Sequence, residues 1–317
     1  MEIIASFAKT QPMSYVDIQV NGYAGVDFHV QITPDQLQRV AQRLRAGHVR
    51  VVLPTVTTQS IPNMAGRLAN LHRIIQQDAE LQRLMPAFHI EGPCLSPEDG
   101  YRGAHDPRYA VPASVDLYKQ LYDAVDGPPH VAMVTLAPEV DEGLKATQWL
   151  VEQGAVVCVG HSNASLEILR EVEQIGVQLF THLGNGCPTL MPRHDNIIQR
   201  ALSLERMKYA FIPDGQHLPW FVLRNWLRWV GPERCVFTTD CVTPADAPPG
   251  RYKIGRFDVE VGSDGHIIPP TKDHLVGSSL TMRQAYANAI EHLGLSPAQA
   301  GALCDEQPAK LIAKWLP

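Results

Sequence analysis

Apolar runs of strand length alternate with segments of helical period along this chain, and that alternation restricts the fold more than any other feature. Strands that run parallel need a crossover of about a dozen residues or more between them, usually a helix. The runs fall at 15–20 (YVDIQV), 49–55, 86–90, 130–135, 155–160, 177–181, 208–213 and 235–239. Eight of them with helices between predict an α/β fold of the (β/α)8, TIM-like barrel class. An open doubly wound sheet would want a glycine-rich phosphate turn after the first strand, and NGYAG at 21–25 is not one.

Amphipathic stretches at 34–46, 62–78, 114–125, 141–153 and 165–175 supply the expected helices, the first with Thr33 as N-cap and Pro34 at the first helical position. Segment 244–274 differs in kind, being rich in Pro and Gly with short alternating patches such as RFDVEV. It predicts a β-hairpin excursion after the eighth strand, and two helical patterns follow it. A barrel of roughly 250 residues is one domain. The expectation is therefore a single domain over 1–317 with 244–274 as an insertion.

Composition excludes several classes. At 45% apolar and 19% charged residues the chain can bury a large core. A net charge of −6 with scattered basic residues argues against a nucleic-acid-binding face. No apolar run approaches a membrane span, and the start MEIIASFAKTQPMSYVD lacks the core of a signal peptide, so the expected location is cytoplasmic. The six cysteines contain no CxxC pair and are expected to be reduced thiols, although Cys94, Cys187 and Cys241 lie near candidate site residues.

Polar residues that can do chemistry recur at the carboxyl ends of the runs: Gln19 and Asn21, Thr55 and Thr57, His89 and Glu91, Thr135, His161, His182, Asp214 and His217, and Asp240. In a parallel barrel those ends share one rim, where active sites are built. GHS at 160–162 and THLGN at 181–185 each place a His directly after a strand, and HIEGP at 89–93 places a carboxylate there. Two imidazoles and one carboxylate suit zinc or iron(II), and three protein ligands leave a position open. Glu91, His161 and His182 are thus the expected ligands of one divalent metal. Hydrolysis of an amide also requires a group that takes a proton from the attacking water and returns one to the leaving amine. Asp240, at the end of the eighth strand, is expected in that role, with His217 donating a hydrogen bond to the scissile carbonyl.

As a set these motifs resemble the N-acetylglucosamine-6-phosphate deacetylase family of the amidohydrolase superfamily. The matching stretches are DIQVNGYAGVDF (17–28), HIEGPCLSPEDGYRGAHD (89–106), TLAPE (135–139), GHSNAS (160–165), THLGNGCPTLMPRHD (181–195), PDGQH (213–217), TTD (238–240) and VGSSLTM (276–282). The resemblance implies the same metal ligands, Asp240 as acid and base, and His217 on the acetyl carbonyl. It further implies substrate contacts from Ala104, His105, Asn185, Gly186, Arg193, Val276 and Gly277, with Arg193 on the sugar phosphate, whose oxygens a guanidinium fork matches. Where related enzymes bind a second metal through an HxH pair, this chain has Gln19 and Asn21, and neutral amides bind a divalent cation poorly. One metal per chain is the expectation.

The implied reaction is removal of the acetyl group from an N-acetyl amino sugar, N-acetylglucosamine 6-phosphate giving glucosamine 6-phosphate and acetate, and the implied assembly is a homodimer. Two departures bear on it. The small β-sandwich that accompanies the barrel in this family is expected to be largely missing, unless 244–274 is a remnant of it. The family more often has a bulky residue in place of Gly184 and a small residue followed by Met in place of Gly186-Cys187, and the two glycines are expected to enlarge or loosen the pocket wall. Other substrates consistent with the motifs are a different N-acyl amino sugar, an N-acyl amino acid or a cyclic amide. A catalytically silent sugar-binding barrel is the reading from a different class.

Overall fold

The computed structural model describes residues 14–262, 265–268 and 275–317. The reading of the amino-terminal stretch falls on 1–13, outside the described residues. Eight strands form one parallel sheet in strictly sequential order: β1 (Tyr15–Val20), β2 (Val49–Thr57), β3 (Phe88–Glu91), β4 (Val131–Leu136), β5 (Val156–Val159), β6 (Leu179–Phe180), β7 (Lys208–Phe211) and β8 (Cys235–Phe237). A parallel bridge between Val20 and Cys241 brings the first strand against the chain leaving the last. The result is the TIM-like barrel expected from the alternation.

Strand and helix chemistry follow the sequence closely. In α1 (Pro34–Ala46), Thr33 and Gln36 form a capping box and Leu37, Val40, Ala41 and Leu44 are buried. Their spacing puts them on one face of the helix. In β2, Val51 and Leu53 join the cluster that fills the barrel, whereas Val52 and Val56 pack beneath the surrounding helices. Burying each such side chain stabilises the fold by ~1.5–3 kcal/mol. The carboxyl-terminal residues Ala309, Leu311, Ile312 and Trp315 join the barrel-filling cluster. The Trp315 indole donates to Pro129 O at 3.0 Å, just ahead of β4. Three helices have no clear period in the sequence: α2 (Ala79–Leu84), α3 (Ile197–Leu202) and α4 (Trp220–Val230). The first two are barely a turn and a half, and α4 (WFVLRNWLRWV) carries aromatic residues on its exposed side, which blurs its stripe.

A bulge in β1 sets the orientation of the residues that follow. Asp17 pairs with Val52 but Val20 pairs with Pro54, so β1 holds one residue more than its partner between those points. The extra residue reverses the alternation. Gln19 reaches Glu91 and Asp240, while Asp17, of the same parity, instead ties β1 to the end of β8. The Asp17 carboxylate accepts from Thr238 Oγ1 at 2.6 Å, from Thr239 Oγ1 at 2.6 Å and from Thr239 N at 3.2 Å, all buried. Asp17→Ala would strand those donors and is expected to cost ~2–4 kcal/mol, read as a clear fall in melting temperature. A melting temperature unchanged from that of the parent would show that the closure does not depend on this carboxylate.

The excursion after β8 is more than a hairpin. It forms a three-stranded antiparallel sheet of β9 (Gly250–Ile254), β10 (Phe257–Val261) and β11 (Ile267–Ile268). Positions 263–264 and 269–274 of the predicted segment lie outside the described residues. The turn between β9 and β10 is held against the barrel rim, where Gly255 N donates to Asp27 Oδ2 at 2.8 Å.

Candidate metal centre and active site

The residues expected at the strand ends converge. His161, His182 and Asp240 have φ values of 51°, 28° and 47°, and Gly92, directly after Glu91, has φ 79°. Each of these chains leaves its strand through the left-handed region, which costs a non-glycine residue roughly 1–3 kcal/mol. The distortion aims the side chains at one point. Nε2 of His182 lies 2.9 Å and Nε2 of His161 3.3 Å from Glu91 Oε1. The three ligand atoms all fall within 4.8 Å of one another, and all three residues are buried.

This donor set fits a divalent cation. The His161 ring is oriented by its Nδ1, which donates to Tyr101 O at 3.0 Å and turns Nε2 toward Glu91. His182 Nδ1 is buried without a hydrogen-bond partner among the described residues. Burial pushes Glu91 up, but hydrogen bonds from His161 and His182 outweigh it and hold the carboxyl well below its ordinary range. Burial likewise lowers His182, yet the Glu91 carboxylate prevails and raises it. A proton shared between a carboxylate and imidazoles in a dry site sits where a cation would sit.

Gln19 and Asn21 set their amide groups against the two carboxylates. Gln19 Nε2 donates to Glu91 Oε2 at 3.1 Å and to Asp240 Oδ1 at 3.0 Å, and Asn21 Nδ2 donates to the same Asp240 oxygen at 2.6 Å. Asp240 Oδ1 is thereby fixed, and Oδ2 makes no hydrogen bond to a described residue. Burial and the adjacent Glu91 charge push the Asp240 carboxyl up to about 6. The VGSS stretch clamps its backbone: Ser278 N donates to Asp240 O at 3.0 Å, and a Cβ on Gly277 would lie 2.9 Å from that oxygen.

One cavity opens at this rim. Asn21, Glu91, His161 and Asp240 line it, with Ala104, His105, Asn185, Val276 and Gly277. Gln19 and His182 lie beneath and reach the carboxylates through hydrogen bonds. His217 is not among the lining residues; Asp214 Oδ2 holds its Nδ1 at 2.6 Å, and its Nε2 is buried without a partner among the described residues. Arg193 is exposed and does not line the cavity. His105 Nε2 faces His161 Nε2 at 3.2 Å, and burial together with the neighbouring imidazole pushes His105 down to about 3.

Several sequence readings change. His89 is a structural residue: its Nδ1 lies 3.0 Å from Ile18 O and its Nε2 2.8 Å from Thr135 Oγ1. Gly184 and Gly186 do not loosen the wall. A Cβ on Gly184 would meet Leu218 at 2.7 Å, and one on Gly186 would meet His161 Nδ1 at 2.6 Å and Tyr101 O at 2.8 Å. Both glycines permit close packing, and the second protects the hydrogen bond that orients His161. Cys94, Cys187 and Cys241 do not line the cavity, and burial pushes the Cys187 thiol up to about 12. His29, Gln59, Asp106 and Arg256 do line it and were not foreseen. Each lies in a loop whose approach to the rim is set by other segments, and no local pattern announces that. Asp106 follows directly on the GAH stretch, which was the nearest available signal.

A parallel barrel whose carboxyl rim carries a buried Glu, two His and a facing Asp defines a metal-dependent hydrolase of the amidohydrolase type. No family model matches the chain. It is 31% identical to an N-acetylgalactosamine-6-phosphate deacetylase of Shewanella sp. (strain ANA-3), over 95% of this chain and 73% of that one. It is also 31% identical to an N-acetylglucosamine-6-phosphate deacetylase of Danio rerio, over 94% and 74% respectively. The crystal structure of the N-acetyl-D-glucosamine-6-phosphate deacetylase from Mycobacterium smegmatis superposes with a TM-score of 0.84 at 27% identity, covering 95% of this chain and 78% of that one. The chain belongs to the N-acetyl amino sugar 6-phosphate deacetylase family. No helix among the described residues is long and apolar enough to cross a membrane.

Proposed function

We propose that this chain hydrolyses the acetamide of an N-acetyl amino sugar 6-phosphate, N-acetylglucosamine 6-phosphate giving glucosamine 6-phosphate and acetate. The observation that carries the reading is the buried Glu91, His161 and His182 group on the same cavity as Asp240. In this reading Glu91, His161 and His182 hold one divalent cation, zinc first and iron(II) second. When bound, such a cation acidifies water and polarises a carbonyl. Asp240 takes the proton of the attacking water on Oδ2 while Gln19 and Asn21 hold Oδ1, and it then delivers that proton to the leaving amine. The resemblance puts His217 on the acetyl oxygen, a role in which Nδ1 donates to the Asp214 carboxylate and a doubly protonated ring donates from Nε2. His105, Ala104, Asn185, Gly186, Val276 and Gly277 orient the sugar, and Arg193 is the contact implied for the phosphate. Residues 1–317 act as one domain, the excursion completing the cavity, and a homodimer is the implied assembly.

N-acetylgalactosamine 6-phosphate is the second substrate to weigh, because two relatives carry that name. The deciding experiment measures acetate release from both phosphorylated sugars and from unphosphorylated N-acetylglucosamine, with metal content determined on the same sample. Release from a phosphorylated sugar with about one metal per chain supports the reading. Metal without release from any of the three sends the search to other amides.

A further inference from the structure

His29 lines the cavity but has no role in the reaction proposed above. The other three histidines of the site form a chain of ring contacts, His105 to His161 at 4.4 Å between centroids and His161 to His182 at 4.9 Å. His29 stands outside that chain, in the loop after β1 and beside the β9–β10 turn, where a Cβ on Gly255 would lie 3.8 Å from its own Cβ. Asp27 fixes it there: Oδ1 lies 2.7 Å from His29 Nδ1 and accepts from His29 N at 2.8 Å, while Oδ2 accepts from Gly255 N at 2.8 Å. We propose that His29 reads one hydroxyl of the bound sugar, that on C4, and so determines whether the glucosamine or the galactosamine ester is preferred. This rests on the reading above that the cavity takes an N-acetyl amino sugar 6-phosphate.

Three observations support it. First, Asp27 selects the tautomer. An ionised carboxylate only accepts, so Nδ1 carries the proton, and in the neutral ring Nε2 keeps the lone pair. No described residue is hydrogen-bonded to Nε2, and the ring borders the cavity, so it offers an acceptor that matches a hydroxyl donor. Second, the surroundings disfavour an anion. The Asp27 carboxylate stands behind the ring and Asp106 lines the same cavity, so a neutral group suits this corner and the phosphate contact stays with Arg193. Third, the covalent geometry of the sugar leaves one hydroxyl for this place. With the acetamide on C2 at the Glu91, His161 and His182 group, the hydroxyls on C1 and C3 flank it, whereas C4 and C5 lie across the ring. C5 carries the phosphorylated arm, so the free hydroxyl on the far side is that on C4. Its configuration is the one difference between glucosamine and galactosamine, and an imidazole fixed by a carboxylate accepts well from only one of the two.

The ring also steadies Asp27, and Asp27 the turn, so a fall in activity alone would not separate recognition from packing. The test is calorimetric titration of the zinc-loaded full chain with glucosamine 6-phosphate, galactosamine 6-phosphate and their common 4-deoxy analogue. The parent should favour one epimer and bind the 4-deoxy analogue about 3- to 10-fold more weakly than that epimer, the size of one neutral hydrogen bond. His29→Ala should bind all three alike. His29→Gln, whose amide oxygen can accept, should keep part of the preference. Damage to packing would instead weaken all three by the same factor. The proposal is overturned if the parent does not distinguish the epimers, if loss of the hydroxyl costs the parent nothing, or if His29→Ala keeps the parent's ratios. Because no turnover is needed, absence of acetate release would count against the proposed reaction and leave this result standing.

Discussion

Asp240→Asn is expected to lower kcat for acetate release by about 10²–10⁴-fold while metal content stays near one per chain. The substitution is informative because the local structure can accept it. Asp240 Oδ1 receives two amide donors, from Gln19 and Asn21, and an asparagine oxygen can receive both. The new amide nitrogen then stands where Oδ2 stood, and it has no lone pair with which to take a proton. Fold and metal site are preserved and the base is lost. The same carboxyl should give the parent an acidic limb in its pH profile. Burial and the Glu91 charge raise its titration to about 6, and the base form disappears as pH falls through it. A cation held by Glu91 offsets the second of those causes, so in the loaded protein the limb lies lower. Full activity in Asp240→Asn would remove Asp240 from the mechanism.

Glu91→Gln is expected to weaken zinc binding at least about 100-fold and to abolish activity with it, beyond the 10- to 100-fold usual for losing an outer partner of a metal ligand. Glu91 is 2% exposed, receives His161 and His182 on one oxygen and Gln19 on the other, and carries the only negative charge among the three ligands. Replacing it removes the charge that compensates a dication in a dry site, and directs an amide N–H at one of its neighbours. Metal content after exhaustive dialysis, measured beside circular dichroism, checks this. Retention of stoichiometric zinc by a folded Glu91→Gln protein would place the metal elsewhere.

Much of this was legible in the chain. Glu91, His161, His182 and Asp240 each follow an apolar strand directly, and in a parallel barrel all such positions meet at one rim. Less legible were residues whose roles depend on geometry between segments. His89 has the same strand-end position as the ligands, yet bonds to Ile18 and Thr135 occupy both of its nitrogens. Gly184 and Gly186 look like missing bulk until Leu218, Trp226 and His161 are seen packed against them. Asp17 shares its parity with Gln19, and only the bulge separates a barrel-closing carboxylate from a site amide.

The sequence by itself determined the barrel, the strand order and the buried Glu91, His161 and His182 group, because period-two and period-3.6 patterns and strand-end positions are local properties that a parallel topology converts into a common rim. The tertiary structure alone decided which way the bulged β1 turns its side chains, and that the β9–β10 turn brings Arg256 over the cavity. Those outcomes depend on register and on contacts between segments more than a hundred residues apart, such as Arg256 with Ala104, and no short-range pattern encodes them.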